Sequence, residues 1–452
     1  MPDRATIAAF RFGYGLPQAG GEPSPEALLA QLTDPDAAAA RFPAYHTRDV
    51  LEVMEALRAA RVLAKEQPET KAGKKAVRRA VKLGKALAQR GAQAMMARAV
   101  EGAGLRERMV QFWADHFTVV GRNRAEPAWP TAMIEDVIRP HVGGRFGDML
   151  AAVATHPAML LYLDQAQSVG PNSARGARRD RGLNENYARE LMELHTLGVG
   201  AVYSQDDVRQ LAELLTGLAV DPVEGFVFDA RRVEPGPERV LGRDYAGDGI
   251  EAIRAVLADL AARPETAAHL AHKLAVHFVA DTPDPGLVTA MEAAFRDSGG
   301  DLSAVTAALL AHPAAWAEPA AKARQPFDFI VAALRALGVP GDAVVAMDEA
   351  QFRNLLLNPM TEMGQTWQGA PGPDGWPEEI GAWITPQGMA ARIAWAMAVP
   401  ARLRQPLPEA AAMAGAALGE RLSGRLTWAI GAAENRREAV GLVLSSPEFN
   451  RR

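Results

Sequence analysis

Gly182-Leu183-Asn184-Glu185-Asn186-Tyr187-Ala188-Arg189-Glu190-Leu191-Met192-Glu193-Leu194-His195-Thr196-Leu197-Gly198 reads as a helix. At ~100° per residue, Leu183, Tyr187, Leu191 and Leu194 form an apolar stripe. Asn186, Glu190 and Glu193 fall on a second stripe, and Asn184, Ala188, Leu191 and His195 on a third. With polar groups on several sides, the helix is expected to be central, its charged groups buried and paired rather than solvated.

Helical spacing of apolar residues continues outward through most of the 452 residues. Ala and Leu dominate and β-branched runs are scarce, so the fold class is all-α, an assembly of about fifteen helices. Caps or a Pro at the first helical position mark the starts: Ser24-Pro25-Glu26, Trp129-Pro130, Ser204 with Asp207, Asp284-Pro285, Asp301, Thr385-Pro386 and Ser446-Pro447. Gly225–Phe228 and Arg239–Leu241 flank Glu234-Pro235-Gly236-Pro237, the pattern of one small β-hairpin inserted between helices. The chain reads as a single domain over 1–452, divisible into lobes 1–220 and 221–452. His156-Pro157, His312-Pro313 and Ser446-Pro447 recur beside apolar helices, either as a faint repeat or because Pro interrupts helices, and the two His read as caps.

Two loops, 168–181 and 365–383, concentrate Gly, Pro and polar residues, and long ordered loops are disproportionately functional. A net charge of -5 argues against a dedicated nucleic-acid binder. The absence of Cys removes thiol catalysis, Cys-ligated zinc and disulfides. No window approaches the roughly 18 apolar residues of a membrane span. The start, Met1-Pro2-Asp3-Arg4, shows no secretory signal, which reads as cytoplasmic unless a leader has been trimmed. A basic run from Arg58 to Arg90 reads as the solvated face of a helical hairpin, or as a docking surface for an acidic partner or membrane headgroups.

The opening stretch resembles the signature of the bacterial domain-of-unknown-function family 1800 (DUF1800). Phe112-Trp113-Ala114-Asp115-His116-Phe117, Met159–Asp164, Lys273–Val279, Gly375-Trp376-Pro377 and Ser445–Phe449 follow in the family's order. The family often has a His where Ala114 stands and a His-Asp pair where Val233-Glu234 stands, so proposals resting on those side chains fail here. The resemblance implies no agreed activity. It does imply that many members look exported and are encoded beside a sulfatase- or phosphatase-like protein of family 1501, a candidate partner.

Two functional readings stand side by side. In the first, Glu190 and Glu193, with Arg189 and Asp164, are catalytic in a metal-assisted or acid/base hydrolase or oxidase. His116, His195 and Glu190 would then hold a divalent metal such as zinc, manganese or iron, while Asn184, Asn186, Arg178, Arg179 and Trp376 bind a polar or anionic substrate. In the second, Arg189, Glu190 and Glu193 make structural ion pairs, His116 is a core histidine, Asp164 is a cap, and the protein is a scaffold or maturation partner. The helix lacks both the Glu-x-x-His spacing of di-iron proteins and the His-Glu-x-x-His zinc motif.

Overall fold

The computed structural model describes residues 4–16, 23–68, 71–102, 104–121, 127–178, 182–247, 249–318 and 322–452. Among them the protein is all-α with two small sheets, and fifteen helices is an undercount, because many segments are only one or two turns long. The expected starts hold: Ser24, Asp284, Asp301, Thr385 and Ser446 each accept an N–H of the following turn. Ser204 and Asp207 close a reciprocal capping box.

The His-Pro and Ser-Pro echo has a local cause. His156 Nδ1 accepts from Ala158 N, and His312 Nδ1 from Ala314 N, each at 3.2 Å. Pro fills the first helical position, where no N–H is needed. A helix ends, and the capped Pro begins the next.

The two stretches expected to form one hairpin do not pair with each other. Gly225–Phe228 pairs antiparallel with Leu218–Asp221, and Glu238–Val240 with Arg243–Tyr245. The second turn is Leu241-Gly242, both at positive φ, the geometry that matches the twist of tight hairpins. Leu is a poor residue for that conformation, which hid the turn in the sequence.

Two hydrophobic cores organise the helices. One gathers Phe12, Trp113, Met149, Leu191, Leu270 and Leu309, among others. The second packs the end of helix Lys71–Glu101 against Pro326–Ala336, Pro386–Ala398, Ala410–Leu418 and Arg436–Ser445. Within the first core, the helical run from Trp129 to His141 widens into a π segment at Ile134–Ile138. Pro140 lies within that run; it has no N–H to donate and would clash with the preceding turn, and the wider turn relieves both.

The signature helix, Asn186–Glu193, is not central. It buries Tyr187, Ala188, Leu191 and Met192, and Tyr187 Oη donates to Ala154 O at 3.1 Å. Arg189, Glu190 and Glu193 are only partly buried, on the side away from the core. Their partners come from the adjoining segment: Arg189 bonds Gln205 Oε1 at 2.8 Å, and Tyr203 Oη donates to Glu193 at 3.1 Å. The helix needs only one apolar face for docking, so its other polar groups meet solvent instead of the buried partners expected.

Candidate functional site: a cavity between the cores

Helix Gly104–His116 buries Leu105, Met109, Val110, Phe112 and Trp113, yet it carries Arg108, Gln111 and Asp115 at spacings of three and four. That spacing aligns the three on one stripe. They face a cavity of about 90 Å³ lined also by Tyr14, His277, Asp328 and, from the loop that follows Met360, by Trp367, Trp376 and Glu378. Met95, Met133, Ile134, Phe327 and Met360 supply its apolar wall. The lining draws on both cores, the kind of junction where ligand sites concentrate.

One wall is a buried chain of charges. Arg108 donates to Asp328 Oδ2 at 3.1 Å and to His277 Nε2 at 3.0 Å. His277 Nδ1–H in turn faces Glu378 Oε1 at 2.5 Å. Arg452 Nε lies 3.2 Å from Asp328, and Lys322 Nζ 3.4 Å from Glu378. Burial holds His277 down at about 4, so its imidazole is neutral near pH 7. Burial alone would raise Glu378, but His277, Lys322 and Arg452 outweigh it and keep the carboxyl below its usual range. With Nε2 occupied by Arg108 and Nδ1 by Glu378, His277 has no lone pair for a substrate proton. It is a positioning residue for Arg108.

Asp115 is different. Burial pushes its carboxyl up to about 7, against the pull of the Trp376 N–H and with the Glu378 charge reinforcing the rise. The nearby Lys273 ammonium lowers Asp115 only in part, and is itself depressed by burial. Lys273 makes no ion pair within 4.0 Å among the described residues. Asp115 accepts the Trp376 N–H on both oxygens, at 3.0 and 3.2 Å. This contact requires Gly375, whose φ is +85° and where a Cβ would stand 2.6 Å from Asp115 Oδ2 and 2.8 Å from Asp115 O. Gly375→Ala is therefore expected to lower stability by about 1–3 kcal/mol and to speed hydrogen exchange at the Trp376 amide. Unchanged exchange would show that the loop tolerates the side chain.

Four donors of lining residues lack any partner among the described residues: Tyr14 Oη, Arg108 Nε, Gln111 Nε2 and Trp367 Nε1. Buried donors without partners are rare, and several around one cavity point to a ligand or ordered water that accepts hydrogen bonds.

Of the residues singled out from sequence, Trp376 reaches this cavity. Glu190 and Glu193 lie beside each other on the partly exposed face; burial, then the Glu193 charge, raises Glu190. His116 and His195 are buried, their rings 6.2 Å apart. His116 Nε2–H donates to His195 O at 3.2 Å, while neither ring nitrogen of His195 has a partner among the described residues. Burial drives both pKa values down, that of His195 to about 3. No group of three or more His, Asp or Glu among the described residues is placed to hold a metal ion, and His116, His195 and Glu190 are not such a group. Asn184 spends its side chain on Leu163 O, at 3.1 Å, and on the Asn186 N–H, at 2.9 Å, tying the preceding loop to the helix. Asn186 is exposed. Asp164 stands at the left-handed start of a short 3-10 turn, where Gln167 Nε2 reaches it at 3.3 Å. The side chain of Arg178, and Arg179 entirely, lie outside the described residues.

Sequence reading gave no site role to Asp115, Lys273, His277 or Glu378. The available signal was Arg108, Gln111 and Asp115 on one stripe of an otherwise apolar helix, with Lys273 and His277 one turn apart on another.

The family model described as "Protein of unknown function (DUF1800)" matches residues 7–451. No curated protein and no solved structure matches the chain. Among the described residues no helix is long and apolar enough to cross a membrane.

Proposed function

The chain belongs to the DUF1800 family, whose description carries no activity, and from its own geometry we propose an acid–base enzyme, a hydrolase, acting on a small neutral polar molecule in the cavity beside Asp115. The observation that carries this reading is a buried carboxyl with a pKa of about 7 on the wall of a cavity that also carries buried donors without partners among the described residues. A general acid or base works best when its pKa lies near the operating pH. Perturbed groups converging on a concave site mark a candidate functional site.

Asp115 gives and takes the proton. Tyr14, Gln111 and Trp367 orient an oxygen-bearing group of the substrate, and Arg108, fixed by His277 and Asp328, adds positive potential where negative charge develops. The Arg108 charge is offset by Asp328 and Glu378 on the same lining, so the cavity favours a neutral substrate over an anionic one. A thermal-shift screen sorted by chemical class tests the assignment, with Tyr14→Phe and Gln111→Leu as controls. Neutral amides, esters or sugars should stabilise the protein, and the controls should weaken that effect. Stabilisation only by phosphates or sulfates, or equal response in the controls, would contradict it.

A second reading, a scaffold or maturation partner of a family-1501 sulfatase- or phosphatase-like protein, draws on a different observation. Arg139 bridges Glu107 and Asp36, each at 2.8 Å, and Arg98 meets Glu135 at 2.6 Å, a buried and paired network of the kind that fixes architecture. A stable complex on co-expression, indifferent to Asp115→Asn, would favour it.

A further inference from the structure

Helices Thr47–Glu66 and Lys71–Glu101 form an antiparallel hairpin whose end nearest the turn packs on little but itself. Its buried residues there are small or few: Leu57, Ala60, Gly73, Ala80 and Gly84. Gly73 lies so close to Ala64 that a Cβ would approach its Cα to 2.3 Å, so the two helices touch through backbone. The result is an arm rather than part of either main core.

Between 58 and 90 the sequence holds eleven Lys and Arg and two Glu, a local charge of +9 in a chain whose total is -5. All eleven basic side chains are exposed, and none lies within 4.0 Å of a carboxylate among the described residues. Solvated helix faces ordinarily intersperse both signs and gain from pairs one turn apart; this face forgoes them. Val62 and Leu83, about half exposed, stand among the charges.

We propose that this arm binds the surface of an anionic phospholipid bilayer. Clustered Lys and Arg are drawn to anionic headgroups, and Val62 and Leu83 can enter the interfacial layer that accepts both charge and hydrocarbon. A nucleic acid fits less well: no Phe, Trp or Tyr occurs between Tyr45 and Phe112 to stack on bases, and Gln67 and Gln89 are the segment's amides. The negative remainder of the chain is repelled by the same surface, and the length of the arm sets it back. Helix Lys71–Glu101 alone, at ~1.5 Å per residue, is several times longer than the ~8 Å over which physiological salt screens charge.

Co-sedimentation of the full chain with vesicles of phosphatidylcholine, alone or mixed with phosphatidylglycerol, tests this. Binding is expected on the mixed vesicles only, falling with added salt. Combined Lys71→Glu, Lys75→Glu, Arg78→Glu and Lys82→Glu should reduce it by at least on the order of 1000-fold, with circular dichroism unchanged. Val62→Ala with Leu83→Ala should weaken binding without altering its salt dependence. Equal binding to neutral vesicles, no binding to anionic ones, or capture by duplex DNA or polyglutamate in place of vesicles would overturn the proposal.

Discussion

Asp328→Asn is expected to destabilise the protein by about 3–5 kcal/mol, measured by urea denaturation, because it leaves buried cations without their counter-charge. Asp328 is the point on which Arg108 and Arg452 converge, at 3.1 and 3.2 Å, and all three side chains are largely buried. Burial would raise the carboxyl, but the two arginines hold it below its ordinary value. Removing only the anion costs far more than the pair contributes, since the attraction had mainly offset desolvation. Two further results separate this mechanism from a general packing defect. Asp328→Leu combined with Arg108→Met should recover part of the loss. Arg254→Ala, which breaks an exposed pair with Glu251, should cost no more than about 1 kcal/mol. Similar losses at the exposed and buried sites would contradict the account.

Asp115→Asn should raise stability at neutral and alkaline pH while impairing the proposed chemistry. The folded-state pKa of about 7 lies above the ordinary carboxylate value of 3.8, so between those pH values the folded protein holds a proton that the unfolded chain releases. Stability from this group therefore falls as pH rises from about 4 to about 7 and is flat above, a span of up to ~4 kcal/mol. The Asn variant keeps an acceptor for the Trp376 N–H but carries no charge to bury. Its stability should therefore exceed that of the parent above pH 7 and converge with it at acid pH. His277 works in the opposite direction: its depressed pKa makes stability rise between about 4 and 6.5, so the difference between parent and variant, not the parent curve alone, isolates Asp115. A gain in stability from losing a functional group is the expected trade-off where a site is strained for chemistry. Once a substrate is found, the same substitution should lower turnover by about 10²–10⁴-fold.

The all-α class was legible because period and capping are local properties, and Ser204 with Asp207 or Asp301 announce their helices within four residues. The site was legible only in fragments. Trp376 drew notice as an aromatic in a Gly- and Pro-rich loop, but its contact with Asp115 joins distant parts of the chain through a glycine whose φ no local pattern reveals. Glu190 and Glu193 attracted the first reading because two carboxylates share a stripe. Yet a stripe says only that residues face one way, and here it faces largely outward. Asp115 sat unnoticed in a motif whose aromatic neighbours are core, because its raised pKa arises from burial against elements that the helix's own sequence does not mention. The second hairpin was missed for a similar reason, since Leu241 adopts a conformation that its residue type disfavours.

The most direct test is the proton on Asp115 itself. Protein labelled with ¹³C at the Asp side-chain carboxyl, with Asp115→Asn to identify the resonance by its absence, can be titrated by nuclear magnetic resonance from acid to alkaline pH. The account predicts a carboxyl that titrates near pH 7 in the parent and is missing from the variant. A resonance already ionised near pH 4 would make Asp115 a conventional partner of Lys273 and the Trp376 amide, and would contradict the acid–base site.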